Sequence, residues 1–401
     1  MTSPSLLLVS ADGHVGPPTE KYRRYLDPGL ENEFDAFVAT HKYRWTAERD
    51  ESFFRRAARN RQRSSSRVAS GGLDSLFDPD RRLKELDEDG VVAEVLFPDD
   101  QNLNTPPWLA GIAPQGLDRV YPPSLRLAGA RAYNRWLAEF CGAASERLIG
   151  MIALGSLDDV DAAVREVRRA HASGLSRGIL LPLDYYLPLY HHARYEPLWS
   201  ICEELELVVT VHGSDGGPHW YGEGLRASAI YLTEVMWYAH RPLWCLILGG
   251  VFDCHPDLRV AFTEQGSSWV PPLLAQLDAS AESTFMRWTE ETPLSMKPSD
   301  YFSRHCVIGN SILTPAEITD RHAVGINNLA WGSDFPHYES QWPHTKDRLV
   351  ELFAGVPTEE SRSILGENLV DFYRLDRSAL LRLADQIGPT PAELGLSEHP
   401  G

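Results

Sequence analysis

Leu6-Leu7-Leu8-Val9-Ser10-Ala11-Asp12-Gly13-His14 opens the chain with an aliphatic run that stops at a carboxylate and an imidazole. The same design recurs three times. His212 ends Leu207-Val208-Val209-Thr210-Val211, Glu264 ends Arg259-Val260-Ala261-Phe262-Thr263, and Asp334 ends Ala330-Trp331-Gly332-Ser333. Short aliphatic runs of this kind read as buried parallel strands. In a parallel barrel the strand ends that feed the loops into helices form one rim, where active sites lie. The scattered side chains then converge on one centre. Asp12 and His14 are two positions apart on an extended segment, so both point the same way. Burying an unpaired carboxylate such as Glu264 is costly, so it needs a cation, either arginine or a metal.

Working outward, eight strands are expected at 5–12, 91–97, 148–154, 177–182, 207–212, 259–264, 305–311 and 328–333. Helical patterns at 79–89, 157–173, 195–206 and 269–282 alternate with them, as βα units require. The expected fold is a distorted (β/α)8 barrel over residues 1–376, with a peripheral tail at 377–401. Two segments exceed a minimal barrel. Residues 17–78 carry the basic stretch Arg55–Arg67, and read either as a solvated loop or as a lid or dimerisation excursion over the rim. Residues 99–123 form a loop rich in Pro and Gly, whose Trp108 either shapes a pocket or packs beneath it.

Composition narrows the function. With 43% hydrophobic residues among 401, the chain can bury a sizeable core. A net charge of -18 argues against nucleic acid and anionic membranes as partners. Five cysteines without CxxC spacing read as reduced, structural thiols. There is no signal-peptide pattern and no run approaching the ~20 apolar residues of a membrane span, so a cytoplasmic protein is expected.

Phe252-Asp253-Cys254-His255-Pro256-Asp257-Leu258-Arg259-Val260 and Trp331-Gly332-Ser333-Asp334-Phe335-Pro336-His337 resemble hallmarks of the amidohydrolase superfamily. More narrowly, they resemble the family 2 branch related to aminocarboxymuconate-semialdehyde decarboxylase. The resemblance implies a metal barrel whose ligands are two histidines on strand one, histidines on strands five and six, and an aspartate on strand eight. The matching positions are Asp12, His14, His212, Glu264 and Asp334. Asp12 replaces the first histidine, and Glu264 stands where many members have histidine. Such an oxygen-rich set favours manganese or iron(II), with zinc the other metal common in the family. Because carboxylates can bridge, one or two ions are expected. His219 and His337 are candidates for additional roles, and Trp220 for the pocket wall.

The expected chemistry is hydrolysis of an ester, a thioester such as an acyl-CoA, or an amide of a bulky apolar acid. Asp334 would be the general base towards a metal-bound water, with His212 beside it. The alternative is non-oxidative decarboxylation of an aromatic or unsaturated acid, with help from cationic groups such as Arg177, His219 and His240. A barrel that lost catalysis and serves as a scaffold is the reading from a different class. The resemblance also implies a homodimer.

Overall fold

In the computed structural model, nine short parallel strands are found among the described residues, three in one sheet and six in another. The structure describes residues 5–48, 74–99, 104–109, 121–184, 186–213, 221, 225–283, 294–311, 313–337 and 340–396, with backbone only at 41–48, 225 and 228. β1 (Val9–Val15) pairs with β2 (Ala93–Pro98), and β2 with β3 (Leu148–Gly150). Past Met151 the chain continues as β4 (Ile152–Ala153), which pairs with β5 (Gly178–Leu180). Then follow β6 (Val208–His212), β7 (Arg259–Thr263), β8 (Cys306–Asn310) and β9 (Leu329–Trp331), each parallel to its predecessor. β3 and β4 are two halves of one pass. A bridge between Gly13 and Phe335 closes the ring, with His14 N donating to Phe335 O at 2.8 Å and Asp334 N to Asp12 O at 3.1 Å. The result is a distorted (β/α)8 barrel.

Alternation along the strands explains the packing. Val9, Ala11, Val95, Ile149, Met151, Val208, Ala261, Val307 and Ala330 meet inside the barrel. Their sequence neighbours Leu96, Ile152, Val209, Val260, Ile308 and Leu329 face the helices instead. The helices begin and end on local signals. Pro79–Asp89 starts on Asp78, whose side chain accepts from Asp80 N and Arg81 N, and stops at Gly90 with φ 80°. Val160–Ala172 starts on Asp159, which accepts from Ala162 N. These caps satisfy amide groups that a helix end leaves open.

Two segments differ from their sequence reading. The helix Arg377–Ile387 buries Leu380 and Ala384 with Leu369, Val370 and Tyr373 under the barrel floor, and Leu6 N donates to Pro389 O at 2.8 Å. The tail is therefore part of the plug at the N-terminal mouth, because its apolar face has no other place to be buried. Between 17 and 48 the chain forms a 3-10 helix, Thr19–Tyr25, and an α-helix, Glu31–Glu48. Phe34 and Phe37 pack edge-on and tilted against Trp108, with ring centroids 6.4 and 6.1 Å apart. This part is helical with Tyr22, Tyr25, Phe34 and Phe37 buried, rather than a loop. Arg55–Arg67 lies outside the described residues. Among those described, no helix is long and apolar enough to cross a membrane.

Asp89, at the end of its helix, is buried, and burial pushes its carboxyl from 3.8 up to about 6. A raised carboxyl favours the folded state while it stays protonated. Its contribution is present below about pH 4 and is lost as pH rises through about 6. Asp89→Asn, close in size and without a charge, should therefore stabilise the protein at pH 7 by about 1–3 kcal/mol and leave pH 4 nearly unchanged. Urea midpoints at the two pH values measure this; equal shifts at both would contradict it.

Candidate metal centre

The centre is built from strand ends. In β1 the register with β2 slips between Ser10 and Gly13, a bulge of the kind that re-aims side chains near functional sites. Asp12 and His14 turn inward while Gly13 faces out. A Cβ on Gly13 would come within 2.8 Å of Glu94 Oε2 and 2.9 Å of Arg82 Nη2, so a side chain there would have to displace that ion pair. Ser311 Oγ donates to Asp12 Oδ2, leaving Oδ1 for the centre. His14 Nδ1 lies 3.0 Å from Pro98 O, and His212 Nδ1 2.8 Å from Gly213 O. A carbonyl only accepts, so each neutral ring carries its proton on Nδ1 and aims the Nε2 lone pair inward, an orientation typical of metal-ligating histidines.

The inward atoms stand close together. Asp12 Oδ1 is 3.4 Å from both His14 Nε2 and His212 Nε2, and His14 Nε2 is 3.2 Å from Asp334 Oδ1. Donors about 2.1 Å from one ion lie about 3.4 Å apart in a tetrahedron and about 3.0 Å apart at neighbouring octahedral corners. The spacings match those edges. His14 Nε2 and both oxygens of Asp334 are buried without a hydrogen-bond partner among the described residues. Such buried atoms are costly unless something else satisfies them. The donor set fits a divalent cation.

The donors fall into two overlapping sets, Asp12 with His14 and His212, and His14 with Asp334 and His337. Glu264, expected as a ligand, joins neither. Its left-handed backbone, φ 58°, swings the side chain behind His212, with Oε2 3.4 Å from Nδ1, the nitrogen that faces away from Asp12. Asp334 is also left-handed at φ 55°. Two such residues at two strand ends mark strain of the kind that collects at functional sites, on the order of 1–3 kcal/mol each.

Charge in this buried cluster is organised by its neighbours. Burial works against the Asp12 carboxylate, but His212 and His14 outweigh it and hold the carboxyl well below its usual range. Asp334 is likewise held low, with His337 and His14 overcoming burial. Burial and His337 press His14 down, yet Asp12 and Asp334 raise it to about 10. Burial opposes and Asp12 and Glu264 support a rise of His212 to about 9. Burial pushes Glu264 up to about 8.

Other expected residues lie elsewhere. Trp108 is turned against Phe34 and Phe37, not towards the centre. Arg177 precedes β5 at the opposite mouth, where its Nη1 donates to Arg374 O at 2.9 Å. His240 stacks on Trp269 at 3.8 Å, and burial lowers it to about 4, so it is no cation. His219 and Trp220 lie outside the described residues. Two groups escaped the sequence reading. Asp99, one residue past β2, obeys the same rule of a carboxylate at a strand end and was findable by it. Arg82 was not. It makes a bidentate pair with Glu94 at 2.6 and 2.7 Å, and donates to His14 O at 3.1 Å and Phe335 O at 3.0 Å.

The amidohydrolase family model matches residues 80–375, well over half the chain, and the chain belongs to that family. It is 22% identical over 320 residues to 2-amino-3-carboxymuconate-6-semialdehyde decarboxylase of Dictyostelium discoideum, covering 77% of this chain and 79% of that one. The fold is similar to the crystal structure of 5-carboxyvanillate decarboxylase from Sphingomonas paucimobilis, at TM-score 0.62 and 18% identity over 92% of this chain and 100% of that one. It is also similar to dihydroxybenzoic acid decarboxylase from Polaromonas sp. JS666, at TM-score 0.59 and 17% identity over 94% and 99% of the two chains. That structure holds manganese and the inhibitor 2-nitroresorcinol. At these identities the structural likenesses establish the barrel.

Proposed function

We propose that this protein is a metal-dependent decarboxylase of an aromatic or unsaturated carboxylic acid. What carries the reading is a buried carboxylate–imidazole centre on the loop side of the barrel, in a chain whose curated relative over 77% of its length is a decarboxylase. Hydrolysis, ranked first from the sequence because carboxylate-rich sites suit making hydroxide, yields to the alternative. The three relatives above are named for acting on carboxylic acids, and an acyl-CoA thioester has no counterpart among them.

Asp12, His14, His212 and Asp334 would hold the ion. A bound divalent cation would supply positive charge that favours binding of the substrate's carboxylate. Manganese suits the mixed oxygen and nitrogen donors. The residues supply the rest. Asp334, buried and held as a carboxylate, takes up a proton from the substrate's own hydroxyl or carboxylic acid group and delivers it to the carbon that bears the carboxylate. The carbon–hydrogen bond forms from the substrate's π electrons, the bond to the carboxylate then breaks, its electron pair restores the double bond or ring, and carbon dioxide leaves. No oxidant or reductant is needed. Ser311 and the carbonyls of Pro98 and Gly213 keep Asp12, His14 and His212 from turning away.

The test is carbon dioxide release from a panel of hydroxybenzoates and unsaturated dicarboxylates with manganese-loaded protein. Release should stop with chelator and return with added manganese. Cleavage of esters or thioesters without carbon dioxide release from any acid would overturn the proposal.

A further inference from the structure

The roles given to Asp12, His14, His212 and Asp334 leave two buried neighbours of the centre unassigned, His337, which falls in the second donor set, and Asp99. His337 Nδ1 lies 3.0 Å from Asp334 Oδ1, and Nε2 lies 3.3 Å from Asp99 Oδ1. One imidazole thus spans two carboxylates from different strand ends. Its ring also stacks on His14, with centroids 3.7 Å apart and planes 20° apart. Asp99 is itself anchored, because its backbone N donates to Val15 O at 3.0 Å.

A carboxylate can rotate about its last torsion unless a neighbour holds it. Asp334 accepts no hydrogen bond from any backbone amide or hydroxyl among the described residues. Its orientation depends on His14 on one side and His337 on the other. His14 also faces Asp12 and His337 also faces Asp99, so Asp334 is held between two imidazoles that each meet a second carboxylate. The far nitrogen of His337 meets the Asp99 carboxylate, so with a proton on each nitrogen the ring faces a carboxylate acceptor on both sides.

We propose that His337, held by Asp99, is a positioning residue that fixes the Asp334 carboxylate and thereby tunes the centre's affinity for a divalent cation. The proposal rests on the metal-centre reading above, but not on which reaction the centre performs. Asp99 acts only through His337. Removing either should weaken the ion's hold in the same direction, and removing both should add little.

The experiment titrates Mn2+ into metal-free protein and follows the signal of the free ion by electron paramagnetic resonance. Loss of a partner behind a metal ligand typically weakens binding about 10–100-fold. That is the expectation for His337→Phe combined with Asp99→Asn, which keeps an aromatic ring on His14 and strands no buried charge. Asp99→Asn alone should weaken binding by about three- to tenfold. His337→Asn in the wild-type background, which restores a donor near the position of Nδ1, should recover part of the affinity that phenylalanine loses. Where the double variant fails to fold, Asp99→Asn and His337→Asn decide the matter. Mn2+ affinity within twofold of wild type in Asp99→Asn and in the folded double variant would overturn the inference while leaving the metal centre intact. Wild-type protein that binds no Mn2+ would overturn both.

Discussion

Arg82→Met is expected to lower the free energy of unfolding by about 3–5 kcal/mol, the usual result of removing one partner of a buried ion pair. Arg82 and Glu94 are both fully buried, and the guanidinium meets the carboxylate through Nε and Nη2. Methionine fills much of the volume but leaves Glu94 charged and without its partner. The same guanidinium also donates to the carbonyls of His14 and Phe335, and lies 4.3 Å from the Phe335 ring centroid. It therefore ties β1 to the segment carrying Asp334, at the seam where the barrel closes. Cation affinity should fall together with stability. Urea unfolding at constant slope gives the stability change. Adding Glu94→Leu should recover much of it, since two apolar groups often replace a buried pair at little cost. A single Arg82→Met variant within 1 kcal/mol of wild type, roughly the level of an exposed pair, would show that Glu94 finds another partner or a proton.

The barrel was legible because a buried parallel strand is a continuous aliphatic run. Val208–His212, Cys306–Asn310 and Leu329–Trp331 fall inside the ranges expected for them. β1 shows where such reading stops. It was expected over 5–12 and pairs over Val9–Val15, because the bulge that presents Asp12 and His14 is a register property of two strands. Donor types were legible too, but their division into layers was not. Whether Glu264 points at an ion or behind His212 depends on one backbone torsion that its residue type does not dictate. Arg82 sits in a helix full of charges, PDRRLKELDED, where nothing local separates the buried arginine from its exposed neighbours. The C-terminal helix reads as peripheral from sequence for a similar reason. Its apolar face is ordinary, and only the barrel floor beneath Tyr373 gives Leu380 and Ala384 a place to be buried.

Asp334→Asn should keep the fold and lose turnover by about 10²–10⁴, the range for removing a positioned acid–base group. The fold survives because asparagine tolerates the left-handed backbone at this position, φ 55°, better than most residues. The amide nitrogen of residue 334 still donates to Asp12 O, so the barrel seam stays closed. The side chain can still offer an oxygen to a cation, but it cannot take up or release a proton near neutral pH. Metal content should fall only in part. His212→Ala provides the contrast: it removes one of the two Nε2 atoms facing Asp12 Oδ1, and metal and turnover should be lost together. The pair separates proton transfer from cation binding when rates and metal stoichiometry are measured on the same preparations. Undiminished turnover in Asp334→Asn would move the proton-handling role to another group. Glu264 would be the next to test, because it is the other carboxyl beside His212 and burial already pushes it up to about 8.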